Sequence, residues 1–355
     1  MGLNILCELI FSCKVINFEV PTIFVSEGTL REIKLLNSRH KLFLILWQMR
    51  KIYGIGETVF DIIFKNEQPQ AAKAGGAMLN STVSLGRIGL PVSLISEYAG
   101  DNVGNLIDSF LTANGVGTDH IDHYKEGKTK LALAFLNEKN DASYTFYQDY
   151  PEERMNIKFP EFKKDDIILF GSIYAITTEI RKKFLELIRK AKASDAIMIY
   201  DPNFRPTHSS DLEMLLPMII ENMQIAKMIR GSNEDFKNIF GANTPDEAWN
   251  VVKKYCNCLV YTANSEGVYV RTVSYKGKFG VKAIKPLSTI GAGDNFNAGM
   301  MASIFLNKIT SDQIEGMGEE NWAKVITMGV DFATNVCLSY ENYISLEFAS
   351  NLRGR

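Results

Sequence analysis

No uninterrupted apolar run in this 355-residue chain approaches the ~18 residues of a membrane-spanning helix; the longest near the start, Leu42 to Trp47, is far shorter. Excess charge is missing too. The 39 Lys and Arg against 41 Asp and Glu leave a formal net charge of -2, and the basic residues form no dense run. That leaves no electrostatic footprint for a polyanion, so the reading excludes nucleic acid and membrane as partners. Cysteine is scarce and odd in number: of five, only Cys256 and Cys258 sit close, with no second cluster to complete a metal site. These read as reduced thiols of a cytoplasmic protein. A secretion signal is absent as well, because no basic segment opens the chain and Glu8 interrupts its first apolar stretch. His40, His120, His123 and His208 have no ligand-like or triad-like companions.

What is present is ordinary globular composition, 46% hydrophobic and 23% charged, in a length that suits one large α/β domain or two smaller ones. Residues 1–48 lack the glycine-punctuated alternation of the rest. Met49, followed by Arg50, Lys51 and an apolar strand, reads as the native start, with 1–48 as an extension of the reading frame. From Lys51 the pattern is strand then helix, repeated. Ile52 to Gly56, Val92 to Ser96, Ile167 to Phe170, Ile197 to Tyr200, Met228 to Arg230 and Leu259 to Thr262 are short apolar runs, as strands covered on both faces should be. Between them, Val103, Leu106, Ile107, Phe110 and Leu111 form a helical stripe after an Asp101 cap, and Ile180, Phe184, Leu187 and Ile188 form another. The class is α/β: a doubly wound, mostly parallel sheet with helices on both faces. Thr58 to Lys65, and Leu131 to Leu136 with Ser143 to Gln148 across a polar turn at 137–142, look like strands without helices between them. They predict a small β-sheet lid, near 58–65 and 118–148, over the carboxyl ends of the parallel strands, where open α/β sheets bind ligands.

Gly54 and Gly56 follow the first strand, but the third glycine of a dinucleotide fingerprint is replaced by Val59, so a Rossmann dehydrogenase is rejected. The strongest signal is the run from Ser288 to Gly299, containing Gly291, Ala292, Gly293 and Asp294. Its glycines let the backbone approach a phosphate, and a helix starting near Asp294 would aim free N–H groups at the same place. A carboxylate there repels the anion unless a proton transfer or a metal requires it. The second signal is Gly75, Gly76 and Asn80 at the opening of a helix that runs to about Arg87, where paired glycines permit close approach of a ligand.

Together, the two regions resemble the two signatures of the ribokinase or PfkB family of carbohydrate kinases, in the right order across residues 49–345, and most resemble a bacterial fructokinase-type member. The resemblance implies a ribokinase-like fold, ATP and Mg²⁺, and a sugar acceptor. It assigns Asp294 as the base that takes the proton of a primary hydroxyl, and the N–H groups of Gly291, Ala292 and Gly293 as the site for the transferring phosphoryl charge. Asp61, Gly75, Gly76 and Asn80 would fix the sugar, with Arg205 of the Asp201-Pro202-Asn203-Phe204-Arg205 element beside them. Ser232, Thr262, Gly267 and Asn297 fall on the nucleotide side, and Asp235 takes the family's glutamate position near Mg²⁺. Ser288, where the family carries Asp, and the glycine-free loop Leu338 to Asn342 argue against activation by a monovalent cation. Fructose, phosphorylated to fructose 6-phosphate, is the favoured acceptor, with ketodeoxygluconate, ribose or a nucleoside such as adenosine as alternatives. Tyr144, Phe146 and Tyr147 of the lid would stack a base in the nucleoside case. A sugar-binding scaffold without turnover is the reading from another class. The open edge of the lid sheet offers a homodimer surface.

Overall fold

The computed structural model describes residues 50–138 and 142–354; the 1–48 extension and the start at Met49 lie outside them. The strands in chain order are β1 (Ile52–Ile55), β2 (Val59–Lys65), β3 (Gln68–Gly75), β4 (Val92–Ala99), β5 (Val116–Tyr124), β6 (Lys128–Leu136), β7 (Ala142–Asp149), β8 (Ile167–Gly171), β9 (Ile197–Asp201), β10 (Met228–Ser232), β11 (Cys258–Thr262), β12 (Val268–Thr272) and β13 (Lys276–Phe279). Nine of them form one sheet in the order β13-β12-β11-β10-β9-β8-β1-β4-β5, and four form a second, β3-β2-β6-β7. The large sheet is parallel from β5 to β11 and ends in the antiparallel pair β12 and β13.

The continuous apolar runs have the burial they predict: Ile52, Ile55, Leu94, Ile167, Phe170, Ile197, Ile229, Leu259 and Val260 are fully buried. The chain leaves β1 toward β4 and β5, then resumes at β8 on the other side of β1. Right-handed crossovers therefore put α1 (Ala77–Arg87) and α2 (Asn102–Ala113) on one face, and α3 (Arg181–Ala193) and α4 (Leu212–Ile225) on the other. The reversal between β1 and β8 is the switch point at which such sheets open a crevice. The Asp101 cap is in place, accepting from Gly104 N at 2.8 Å.

Two stretches differ from the sequence reading. Residues 116–124, assigned there in part to the lid, pair in parallel with β4 as the edge of the large sheet. The lid instead gains β3, whose Gln-, Ala- and Pro-rich sequence has little strand character of its own. Pairing comes from the two-residue turn Asn66-Glu67, at φ 52° and 60°, the geometry that folds a hairpin back with the right twist. Residues 139–141 of the polar turn between β6 and β7 lie outside the described residues.

The remaining helices are α5 (Asn233–Phe240), α6 (Pro245–Val252), α7 (Ala292–Leu306), α8 (Glu319–Cys337) and α9 (Leu346–Arg353). Helix α7 is buried along most of its length, which explains its lack of an apolar stripe. It lies so close to α8 that a Cβ on Gly299 would fall 2.3 Å from Met328 O. Among the described residues no helix is long and apolar enough to cross a membrane. Cys256, Cys258 and Cys337 are free and buried.

Candidate active site

The glycine-rich turn delivers the chain into α7. Gly291, at φ 78°, is its N-cap, a left-handed conformation that disfavours side chains, and the helix begins at Ala292, two residues before the start expected at Asp294. The turn is held from beneath. Asn295 Nδ2 donates to Gly291 O at 2.8 Å and to Asn342 O at 2.7 Å, and Asn295 Oδ1 accepts from Ser84 Oγ. Ala292 N donates to Thr289 O at 3.2 Å, while no bond engages the N–H groups of Gly291 and Gly293 among the described residues. Two or three orphan N–H groups at the positive end of a helix form an anion cradle.

Asp294 stands at the third position of this helix. Its Oδ2 accepts from Asn80 Nδ2 at 2.8 Å, and its backbone O accepts from Ser81 Oγ at 2.7 Å, so helix α1 fixes both ends of the residue. Burial pushes the Asp294 carboxyl up to about 6, with the Asn80 hydrogen bond opposing and the charge of Asp201 adding. A carboxyl so tuned is ionised at neutral pH yet basic enough to take a proton. Asn80 is itself buried, and its Oδ1 has no partner.

The paired glycines make room. A Cβ on Gly75 would fall 2.4 Å from Asp61 Oδ2, and one on Gly76, at φ 132°, would fall 2.3 Å from Glu57 O. Burial raises the Asp61 carboxyl to about 6 against the pull of Lys73. Cross-strand pairing puts Asp61, Lys73, Ala132, Phe146, Ala134 and Tyr144 on one face of the lid. Tyr144 feels the charges of both Asp61 and Arg205, and Asp294 feels that of Arg205, so these groups converge on one space.

Below the cradle lies a buried network that no local pattern announces. Asp201 Oδ2 accepts from Arg230 Nη1 at 2.8 Å and from Asn297 Nδ2 at 2.6 Å; Arg230 Nη2 donates to Thr262 Oγ1 at 2.9 Å. The guanidinium presses against Gly293, where a Cβ would fall 2.9 Å from Nη1. Arg230 is thus a fixed positive charge behind the anion cradle.

Of the residues expected to face a nucleotide, Thr262 is engaged by Arg230, and Gly267, at φ 115°, is needed because a Cβ would fall 2.4 Å from Phe279 O. Ser232 and Asp235 form the capping box that opens α5: Asp235 Oδ2 accepts from Ser232 N and Oγ, and its Oδ1 accepts from Phe204 N. Asp235 is therefore already saturated by protein donors. Among the described residues no group of three or more His, Cys, Asp and Glu is placed to hold a metal. Asn233 Oδ1 and Asn297 Oδ1, however, are buried acceptors without partners among the described residues. That donor set fits a hydrated Mg²⁺ carried on phosphates and met through its waters, not one caged by the protein.

Comparisons with known proteins bear on the family and the fold. Residues 49–347 match the pfkB family carbohydrate kinase profile. The chain is 27% identical over 276 residues to a fructokinase of Solanum tuberosum, covering 74% of this chain and 82% of the relative. It is also 27% identical over 277 residues to a fructokinase of Rhizobium leguminosarum bv. trifolii, covering 75% and 83%. Among solved structures, fructokinase from Vibrio cholerae O395 with fructose, ADP and calcium superposes with a TM-score of 0.73 at 19% identity, over 86% of this chain and 99% of that one. Aminoimidazole riboside kinase from Salmonella enterica gives the same TM-score, 0.73, at 18% identity, over 86% and 99%.

Proposed function

This chain belongs to the pfkB family of carbohydrate kinases, enzymes that transfer phosphate to an alcohol group, and from that premise we propose that its acceptor is fructose and its product fructose 6-phosphate. The observation that carries the kinase reading is Asp294, held by Asn80 and raised to about 6, directly after the open N–H groups of the Gly291 to Gly293 turn. Fructose as the acceptor is supported by the names of the relatives in potato and Rhizobium.

Asp294 Oδ takes the proton of the terminal hydroxyl as its oxygen attacks the γ-phosphorus of ATP; the bond to the β-phosphate oxygen breaks and ADP leaves. Gly291 and Gly293 N–H groups, backed by Arg230, receive the charge spread over the transferring phosphoryl oxygens. Asp61 and Asn80 Oδ1 fix sugar hydroxyls, with Gly75 and Gly76 making room. The lid excludes water, which would otherwise compete as acceptor. Asn233 Oδ1 and Asn297 Oδ1 would meet the waters of a bound Mg²⁺, with the Ser232–Asp235 capping box holding the turn that carries Asn233, and the ion would neutralise phosphate charge.

The test is ADP release from Mg-ATP with fructose, ribose, ketodeoxygluconate, adenosine and fructose 6-phosphate. Release with fructose alone is expected, and Asp61→Asn should raise its KM by ~10- to 100-fold, the worth of a hydrogen bond to a charged group. Unchanged KM would remove Asp61 from the sugar site. One observation favours a nucleoside as second reading: Tyr144 and Phe146 stack at 6.0 Å and 11° on the same lid face as Asp61, and release with adenosine alone would select it. Binding of a sugar without release would leave the scaffold reading.

The opposite lid face supports a homodimer of a cytoplasmic protein. Phe60, Ile62, Phe64, Leu131, Leu133 and Phe135 share it by register, and Phe135 is 42% exposed. A second copy would cover this apolar sheet. Sedimentation should give a dimer that Phe64→Lys converts to monomer; a monomeric wild type would end the idea.

A further inference from the structure

Lys73 ties the lid to the loop behind the anion cradle. Its ammonium, carried on β3, donates to Tyr340 O at 2.9 Å and to Asn342 Oδ1 at 3.2 Å. These residues belong to the turn between α8 and α9, far from β3 in sequence. Lys73 is half-buried, and burial lowers its pKa against the pull of Glu341 and Asp61. A desolvated ammonium is held only where oxygen atoms replace its water.

The loop it grips is not a bystander. Asn342 is buried, its carbonyl accepts Asn295 Nδ2, and the same Nδ2 donates to Gly291 O. Gly291 packs directly on this backbone, for a Cβ there would lie 2.8 Å from Asn342 O. Two links therefore run from the lid to the turn: Lys73 to Asn342, then Asn342 through Asn295 to Gly291.

We propose that Lys73 is a positioning residue for phosphoryl transfer: its bond to the Tyr340–Asn342 loop makes the shape of the Gly291 turn depend on the lid being seated. The inference rests on reading that turn as the phosphate cradle. With the lid away, the ammonium leaves with β3, the loop loses two donors, and the N–H groups lose their register. The cradle would then be competent only when water is excluded, which couples transfer to the sugar and suppresses transfer to water.

Lys73→Met and Lys73→Arg, each checked for a native melting transition, would be compared with wild type in kcat, in KM for sugar and ATP, and in backbone hydrogen exchange over residues 288–295 and 339–342. Lys73→Met should lower kcat by ~10- to 100-fold, the cost of misplacing a reacting group by about an ångström, with both KM values changed less than about threefold. Added methylammonium should restore part of that loss, Lys73→Arg should retain part of the activity, and exchange in both segments should speed up in Lys73→Met. Unchanged kcat, or a rise in sugar KM alone, would make Lys73 a spectator or a sugar ligand and overturn the proposal. If wild type phosphorylates no acceptor, the kinase reading fails separately, and exchange decides the coupling: faster exchange in both segments upholds it, and unchanged exchange overturns it.

Discussion

Replacing Asp294 by Asn is expected to cost ~10²- to 10⁴-fold in kcat, the range for losing a general base, while the fold persists. The substitution suits the site because Asn80 Nδ2 can still donate to the new amide oxygen, and the Ser81 bond is to the backbone. What disappears is the only function an amide cannot supply, acceptance of a proton. Turnover within about twofold of wild type would remove Asp294 from its role.

The same residue sets the pH dependence. Asp294 and Asp61 are both raised to about 6, and both act as ionised carboxylates. Activity, as kcat/KM, should therefore fall below pH ~6 with a slope approaching two, and Asp61→Asn should reduce that slope to one. The stability effect has the opposite sign. A carboxyl whose folded pKa is raised from 3.8 to about 6 favours the fold at acid pH, and that contribution is lost as pH rises through 6. Asp294→Asn should then stabilise the protein by about 1–2 kcal/mol at pH 8, discounted for partial solvent access, with no gain at pH 4. Urea unfolding at the two pH values measures the difference; equal effects at both would mean that ionisation of Asp294 is not what strains the fold.

Arg230→Met is expected to be the most damaging single change to stability, by about 3–5 kcal/mol, because it strands a buried carboxylate. Asp201 is 2% exposed and Arg230 6%, and Asp235, also buried, is raised by its own burial and by the charge of Asp201. One guanidinium thus balances two acids. It also stands behind Gly293, so the folded fraction should lose phosphoryl transfer too. Adding Asp201→Asn to Arg230→Met should return much of the lost stability but little activity, a non-additivity expected of residues in one network. A loss under about 1 kcal/mol for Arg230→Met, read by urea unfolding, would show that the pair is not what holds this floor.

Much of this architecture was legible before any coordinates. The apolar strands, the Asp101 cap, the helical stripes and the glycine-rich turn are local patterns, and each encodes its conformation within a few residues. Because strand and helix alternate, the doubly wound parallel sheet follows from them, and the resemblance carried by Gly291 to Asp294 and by Gly75 to Asn80 led to the family that the comparisons show.

Tertiary structure alone decided the rest, wherever a residue's role depends on a partner distant in sequence. β3 is strand only because β2 presents an open edge and the Asn66-Glu67 turn returns the chain to it; its own Gln, Pro and Ala residues lack the preference. β5 became an edge of the large sheet because β4, paired with β1 on one side, left its other edge open. Arg230 reads in sequence as a charge at a strand end, and becomes the counter-ion of Asp201 only when β9 and β10 pair side by side. Lys73 stands in no motif of the sequence, and meets Asn342 only when the lid and the C-terminal loop fold onto the same turn. Periodicity and glycine spacing are written locally, whereas the desolvation that forces a buried charge to find its partner exists only in the folded core.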